Sequence, residues 1–327
     1  KTKNKTYYQI VLDKSPFYAE SGGQVGDTGY LIAPNGDKTF VTNTVKENNL
    51  IIHITDNLPS DCKVSFKAIV DAERRQQIAN NHTATHLLHR ALRTILGTHI
   101  EQKGSLVNAD YFRFDFSHFE KLSEEHLKEV EALVNKYIRE NASRDEYRGI
   151  PVDQAKAMGA MALFGEKYGD TVRVIKFGDS IELCGGTHTL ATGNIGYFKI
   201  ISESAIAAGV RRIEATTGAG AEAIVKEEED LLKQLKSLFN NTPNLVASLQ
   251  KLIDENDQYK KAFEEVQKEK AISLKKKILL EGNSVNGYKL FVLKGEYAPE
   301  IVKNVAFMLR SECTESIFIA GTDYEGK

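Results

Sequence analysis

Two short segments about a hundred residues apart each offer two metal-ligand side chains at close spacing: His82-Thr83-Ala84-Thr85-His86 and Cys184-Gly185-Gly186-Thr187-His188. Two imidazoles four residues apart on a helix share one face and can chelate a single ion. A thiolate and a third imidazole complete an N/S set suited to Zn²⁺, so the pattern predicts one zinc held by His82, His86, Cys184 and His188. A zinc peptidase is disfavoured, because Thr83 stands where those enzymes carry a glutamate. Thr85, one residue before His86, brings a hydroxyl to the ligand-bearing side that can sort small polar substrates. It can equally bond its own helix backbone. His89 continues the helix and suits an ordinary surface position equally well.

The elements that must position these residues follow from the pattern around them. Asp71 can cap a helix whose apolar residues Ile78, Leu88, Leu92 and Ile95 recur at helical spacing, and Gly97 suits its end. The second ligand pair follows strand-like Thr171–Phe177 and Ile181–Leu183, with two glycines for a tight chelating loop. Residues 1–72 alternate β-rich runs (Tyr7–Leu12, Thr39–Val45, Leu50–Ile54, Lys63–Val70) with turns, predicting a small β-barrel. Within it, glycine-rich Glu20–Gly29 reads as a structural loop ahead of a substrate contact.

Residues 73–215 mix the ligand helix, strand Tyr111–Phe116, helices Ser123–Asn141 and Val152–Ala160 and a β-rich stretch, giving an α+β zinc-binding domain. Residues 216–282 are charge-rich and helical. Leu245, Leu249, Leu252, Asn256, Tyr259, Phe263 and Val266 follow alternating four- and three-residue steps, which predicts a coiled-coil hairpin against Leu231, Leu235 and Leu238. Residues 283–327 read as strand Tyr288–Leu293, helix Pro299–Leu309 and strand Ser316–Ala320, a partial α/β domain with no further sheet partners.

The composition, 41% hydrophobic residues in 327, is enough for a sizeable core, and no apolar run is long enough for a membrane span. Of the three cysteines, Cys62 and Cys313 belong to no motif and read as reduced thiols, which fits a reducing cytoplasmic setting. The net charge of −2 excludes a globally basic nucleic-acid protein. RNA binding would rest on local patches: Arg74-Arg75, Arg211-Arg212 or Lys275-Lys276-Lys277.

Taken with Ser15–Gly29, Gln102, Gly104-Ser105, Ala162–Asp170 and Gly209–Ala215, the two ligand segments run in family order. The chain resembles alanyl-tRNA synthetases of the bacterial type, in the part beyond aminoacylation and tRNA recognition. Free-standing editing proteins and the editing domain of threonyl-tRNA synthetases carry similar metal motifs. The resemblance implies that residues 73–215 are an editing domain hydrolysing Ser-tRNA(Ala) and Gly-tRNA(Ala). It places Thr85 and Gln102 in the editing pocket as catalytic and substrate-binding residues. Arg212 either meets the terminal phosphate or pairs with Glu214 or another acid. ATP and Mg²⁺ would serve only an aminoacylation domain that this chain lacks. The tail corresponds to a region supporting tRNA contact and dimerisation, with no intact interface expected here. Four protein ligands are the pattern of structural zinc, whereas catalytic zinc normally keeps an open position.

Overall fold

The computed structural model describes residues 6–161 and 169–324. The chain divides into two compact units, 1–229 and 230–327, and the division falls inside a helix.

The first unit opens with β1 (Tyr8–Val11), β2 (Gly29–Ile32), β3 (Lys38–Glu47), β4 (Leu50–Thr55) and β5 (Lys67–Val70). They form one sheet in the order β1-β4-β3-β2-β5. The predicted barrel is therefore corrected to an open sheet. β1 and β5 are its two edges, and with four residues each they are too short to be staggered around into closure. Phe17, Leu31 and Val41 make a small core of its own.

The ligand helix follows as expected: α1 (Ala72–Leu96), capped by the Asp71 side chain accepting from the Arg74 N–H. It ends at Gly97, whose φ of 114° favours glycine. Next come β6 (Gln102–Val107), β7 (Phe112–Ser117) and α2 (Glu124–Arg139), where Ser123 caps by accepting from the His126 N–H. Then follow β8 (Arg144–Pro151), α3 (Val152–Ala157), β9 (Thr171–Phe177) and β10 (Ser180–Leu183). The unit closes with β11 (Phe198–Ala207), β12 (Val210–Thr217) and the start of α4 (Ala219–Leu238).

An antiparallel sheet β11-β12-β7-β6 carries the main core. Period-two alternation turns Phe112, Phe114 and Phe116 of β7 inward, where they pack with Leu88, Leu92 and Ala91 of α1 and with Val130 and Val134 of α2. Burial of that kind stabilises by about 1.5–3 kcal/mol per large side chain, and it fixes the helix that carries two of the ligands. The buried Asn81 ties α1 down further, its amide donating to the Asn108 and Ala109 carbonyls and accepting from the Thr217 hydroxyl. A third sheet, β10-β9-β8, delivers the other ligand pair from the end of β10.

The second unit contains the end of α4, α5 (Leu245–Glu281), β13 (Asn283–Val285), β14 (Tyr288–Gly295), α6 (Pro299–Glu312) and β15 (Ser316–Thr322). The parallel β14–α6–β15 unit is as expected, but β13 pairs antiparallel with β14, so the sheet has a third strand. The coiled-coil seam is not closed. Leu231, Leu238, Leu252, Tyr259, Phe263 and Val266 all stay exposed, while α5 buries Ala271 and Ile278 against β14 and α6. The heptad steps are present, but the helix spends its packing on the tail sheet. Among the described residues, no helix is long and apolar enough to cross a membrane.

Candidate metal centre

His82 and His86 face the same way from α1, and β10 runs directly into Cys184 and His188. The four ligand atoms lie within 4.8 Å of one another. His82 Nε2 is 3.3 Å and His188 Nε2 3.2 Å from Cys184 Sγ. Tetrahedral zinc, with bonds of roughly 2.0–2.3 Å, places its donors about 3.3–3.8 Å apart, so the donor types suit zinc and the two Sγ–Nε2 distances lie close to that spacing.

The outer nitrogens are held in the way metal-ligating imidazoles require. Gln24, wholly buried, accepts from His82 Nδ1 at 2.7 Å and from the Thr187 N–H at 2.8 Å, while its amide donates to the Thr187 hydroxyl. Thr83 donates to the Ala79 carbonyl, which leaves its oxygen to accept from His188 Nδ1 at 3.1 Å. Both histidines therefore keep the Nε2 lone pair free toward the thiolate. Glu182 sets its two oxygens 3.3 Å from His86 Nε2 and 3.2 Å from His89 Nδ1, so one buried carboxylate orients two rings. His89 is thus a buried neighbour of the centre and not a surface residue.

Burial, followed by the neighbouring His86 and then by Arg173, holds His82 well below the usual histidine range. Burial, then His82 and His86, does the same for His188. These rings are neutral, the form that binds metal. Burial alone would raise the Glu182 carboxyl, but His86 and His89 bring it net below its ordinary value.

Gly186 is required by close approach. A Cβ there would lie 2.1 Å from His82 Cε1, whereas one at Gly185 would meet nothing within 4 Å. The glycine pair thus works through packing at one position and not through an unusual backbone path. Arg173 of β9 secures the same loop by donating to the Cys184 and Gly186 carbonyls.

A cavity of about 290 Å³ opens over this centre, lined among others by Thr85, Gln102, Ser105 and Tyr18. Thr85 does bond its own backbone, donating to the Asn81 carbonyl at 2.9 Å, so toward the cavity its oxygen acts as an acceptor. The Glu20–Gly29 segment both shapes and lines the wall. Gly22 and Gly23 turn with positive φ, a Cβ at Gly23 would strike the Ser105 carbonyl, and Ser21 and Gly22 face the cavity. Burial above all, then the nearby Cys184, pushes the Tyr18 hydroxyl far up, so it stays a neutral donor to the Ser21 carbonyl. Gly169 also lines the cavity, while residues 162–168 of the Ala162–Asp170 motif lie outside the described residues.

Arg212 is elsewhere, locked in a two-pronged pair with Asp115 at 2.6 and 2.8 Å, and Arg211 pairs with Glu203. Of the basic patches, Arg75 borders a pocket near the centre, and Lys275 is paired with Glu312. Gln24, Thr83, Glu182 and Arg173 had no assigned role in the sequence pattern. The one signal was Glu182, a charge inside the otherwise apolar run Ile181–Leu183.

Glu146 of β8 is held at about 2 chiefly by its hydrogen bond to Arg173, with Arg148 adding to the effect. A depressed carboxylate stabilises the fold above its unfolded value of 4.5 and loses that contribution as pH falls toward 2. The difference in urea midpoint between wild type and Glu146→Gln should therefore be largest near neutrality and shrink below about pH 4.5. A pH-independent difference would contradict the assignment.

The comparisons fall on these same elements. Residues 172–214, which include the Cys184–His188 loop, match the family model described as the threonyl and alanyl tRNA synthetase second additional domain. Residues 1–75 match the model for class II (A) tRNA synthetases. The ligand loop thus lies within a match to the additional domain of class II aminoacyl-tRNA synthetases, while the helix pair falls between the two matched stretches.

The alanine–tRNA ligase of Bacteroides fragilis is 56% identical over 324 residues, 98% of this chain and 37% of that protein. Those of Porphyromonas gingivalis and Cytophaga hutchinsonii are each 49% identical over all of this chain. The chain belongs to the alanine–tRNA ligase family and spans about 37% of the length of these relatives.

Proposed function

We propose that the cavity above the His82–His86–Cys184–His188 centre hydrolyses the ester of tRNA(Ala) wrongly charged with serine or glycine, as the editing site of an alanine–tRNA ligase. The observation that carries this reading is the convergence of a zinc-type ligand set and the polar groups of Thr85, Gln102 and Ser105 on one cavity small enough for an aminoacyl group. A bound zinc would be held by the four ligands and would supply Lewis-acid charge to the ester under attack.

The chain's own groups do the rest. The Thr85 oxygen, its hydrogen committed to Asn81, accepts from the seryl hydroxyl. Gln102 holds the amino group or the attacking water, and Tyr18 and Ser21 line the same cavity. Arg212 keeps its partner Asp115 and braces β7 against β12. Ligation of alanine, with its ATP and Mg²⁺, is not assigned to these residues. A reducing cytoplasm, where Cys184 remains a thiolate, suits the site.

The test is serine, glycine and alanine release from the three charged forms of tRNA(Ala) under one salt condition. Ser-tRNA(Ala) should be cleaved faster than Ala-tRNA(Ala), because alanine leaves the Thr85 oxygen without a donor. One such hydrogen bond is worth about 1–3 kcal/mol, roughly ten- to a hundredfold. Thr85→Val should shrink the serine-to-alanine ratio by slowing serine release. An unchanged ratio removes Thr85 from the mechanism. Glycine, lacking the hydroxyl, enters by size alone.

The closed four-ligand shell favours a second reading, a non-catalytic tRNA-binding module stapled by zinc. The two readings separate on whether metal removal abolishes hydrolysis or the fold.

A further inference from the structure

A second cavity of about 390 Å³ lies against the metal centre and shares Arg173, Gly185 and Gly186 with the first. Arg144, Glu146 and Arg148 sit at alternate positions of β8, with Arg173 on the adjacent β9 and Arg75 of α1 across from them. Among the described residues, four guanidinium groups thus line a space holding one carboxylate. Arg75 is matched from outside by Asp27. Glu146 meets Arg148, Arg173 at 2.7 Å and Arg144 at 3.5 Å, and a single carboxylate cannot neutralise all three.

The arrangement is also held in place. Arg144 donates to the His188 carbonyl and Arg173 to the Cys184 and Gly186 carbonyls, so both are anchored to the ligand loop. Their side chains are only 23% and 20% exposed, so the unmatched charge is partly desolvated and invites an anion. Arg148, 77% exposed, reaches to the mouth. Planar guanidinium forks suit phosphate oxygens in two-pronged contacts.

We propose that this arginine cavity is a phosphodiester subsite, gripping the RNA backbone one step before the 3′-terminal nucleotide whose ester lies over the metal centre. The assignment rests on the hydrolytic reading above and deepens it. Backbone charge gives affinity and position without sequence readout, so the subsite aligns the ester in the cavity regardless of which amino acid is attached.

The experiment titrates the full chain with an uncharged, 5′-labelled RNA hairpin ending in single-stranded cytidine-cytidine-adenosine, at several salt concentrations. Because Arg148 is largely exposed, Arg148→Ala should leave the fold intact, as thermal melting would verify. It should weaken binding roughly three- to tenfold and flatten the log–log salt slope by about 0.7, the loss of one single-strand phosphate contact. Arg148→Lys should keep the slope. Identical affinity and slope for wild type and Arg148→Ala would overturn the subsite. Failure of zinc-loaded wild type to release serine, with an Arg148-dependent salt slope intact, would tell against deacylation while supporting the subsite.

Discussion

Cys184→Ala protein should purify with less than about a tenth of the zinc found in wild type, which should carry one ion per chain. Cys184 Sγ sits 3.3 and 3.2 Å from two of the three imidazole donors, so its loss leaves an incomplete shell. Altering only an outer partner of a metal ligand typically costs ten- to a hundredfold in affinity, and removing a ligand should cost more than about a hundredfold. Because metal binding is coupled to folding, the same variant should also melt earlier. Cys62→Ala and Cys313→Ala change an exposed and a tail-packed residue outside the ligand set and should keep full zinc. Elemental analysis of the three variants, prepared without chelator, decides the matter. Retention of one zinc by Cys184→Ala would contradict the ligand assignment.

Gly186→Ala should be nearly as damaging, although it changes no ligand. The added methyl would lie 2.1 Å from the His82 ring and 2.7 Å from Gln24 Oε1, inside atoms that the fold has packed from both sides. Either the ring leaves its place beside Cys184 or the loop moves away from α1, and both open the centre. Overpacking of this kind costs about 1–3 kcal/mol in stability, with metal affinity falling in step. Gly185→Ala supplies the control, since its methyl would meet nothing within 4 Å. Chelator competition on the two variants should separate them by at least about tenfold. Equal zinc affinities would show that the loop yields freely and that Gly186 is not a packing requirement.

The candidate ligand cluster was legible because residues spaced for chelation leave a local trace. A four-residue helical step and a Cys-to-His loop are short-range patterns, and α1, with its Asp71 cap and Gly97 end, is written in side chains that act within one turn. The groups that orient the ligands leave no such trace. Gln24 reaches His82 across 58 residues and Glu182 reaches His89 across 93, contacts that exist only once the sheets are assembled. Thr85 shows the limit within a helix, where the same residue bonds Asn81 and faces the cavity, so both of its readings hold at once.

Topology failed for a related reason. Strand-forming runs in residues 1–72 specify strands but not closure, and the short edges β1 and β5 stay apart in an open sheet. The seam of α5 satisfies the heptad pattern, yet its apolar residues stay exposed, because the helix buries Ala271 and Ile278 against the tail sheet. Periodicity names a face and does not name what covers it.

The most direct test follows serine release from Ser-tRNA(Ala) while zinc is withdrawn and restored, with circular dichroism recorded on the same samples. Zinc-loaded protein should release serine, chelation should stop release with the secondary structure largely kept, and added zinc should restore it. Serine release that is absent with zinc bound, or that continues unchanged after its removal, would contradict zinc-dependent hydrolysis.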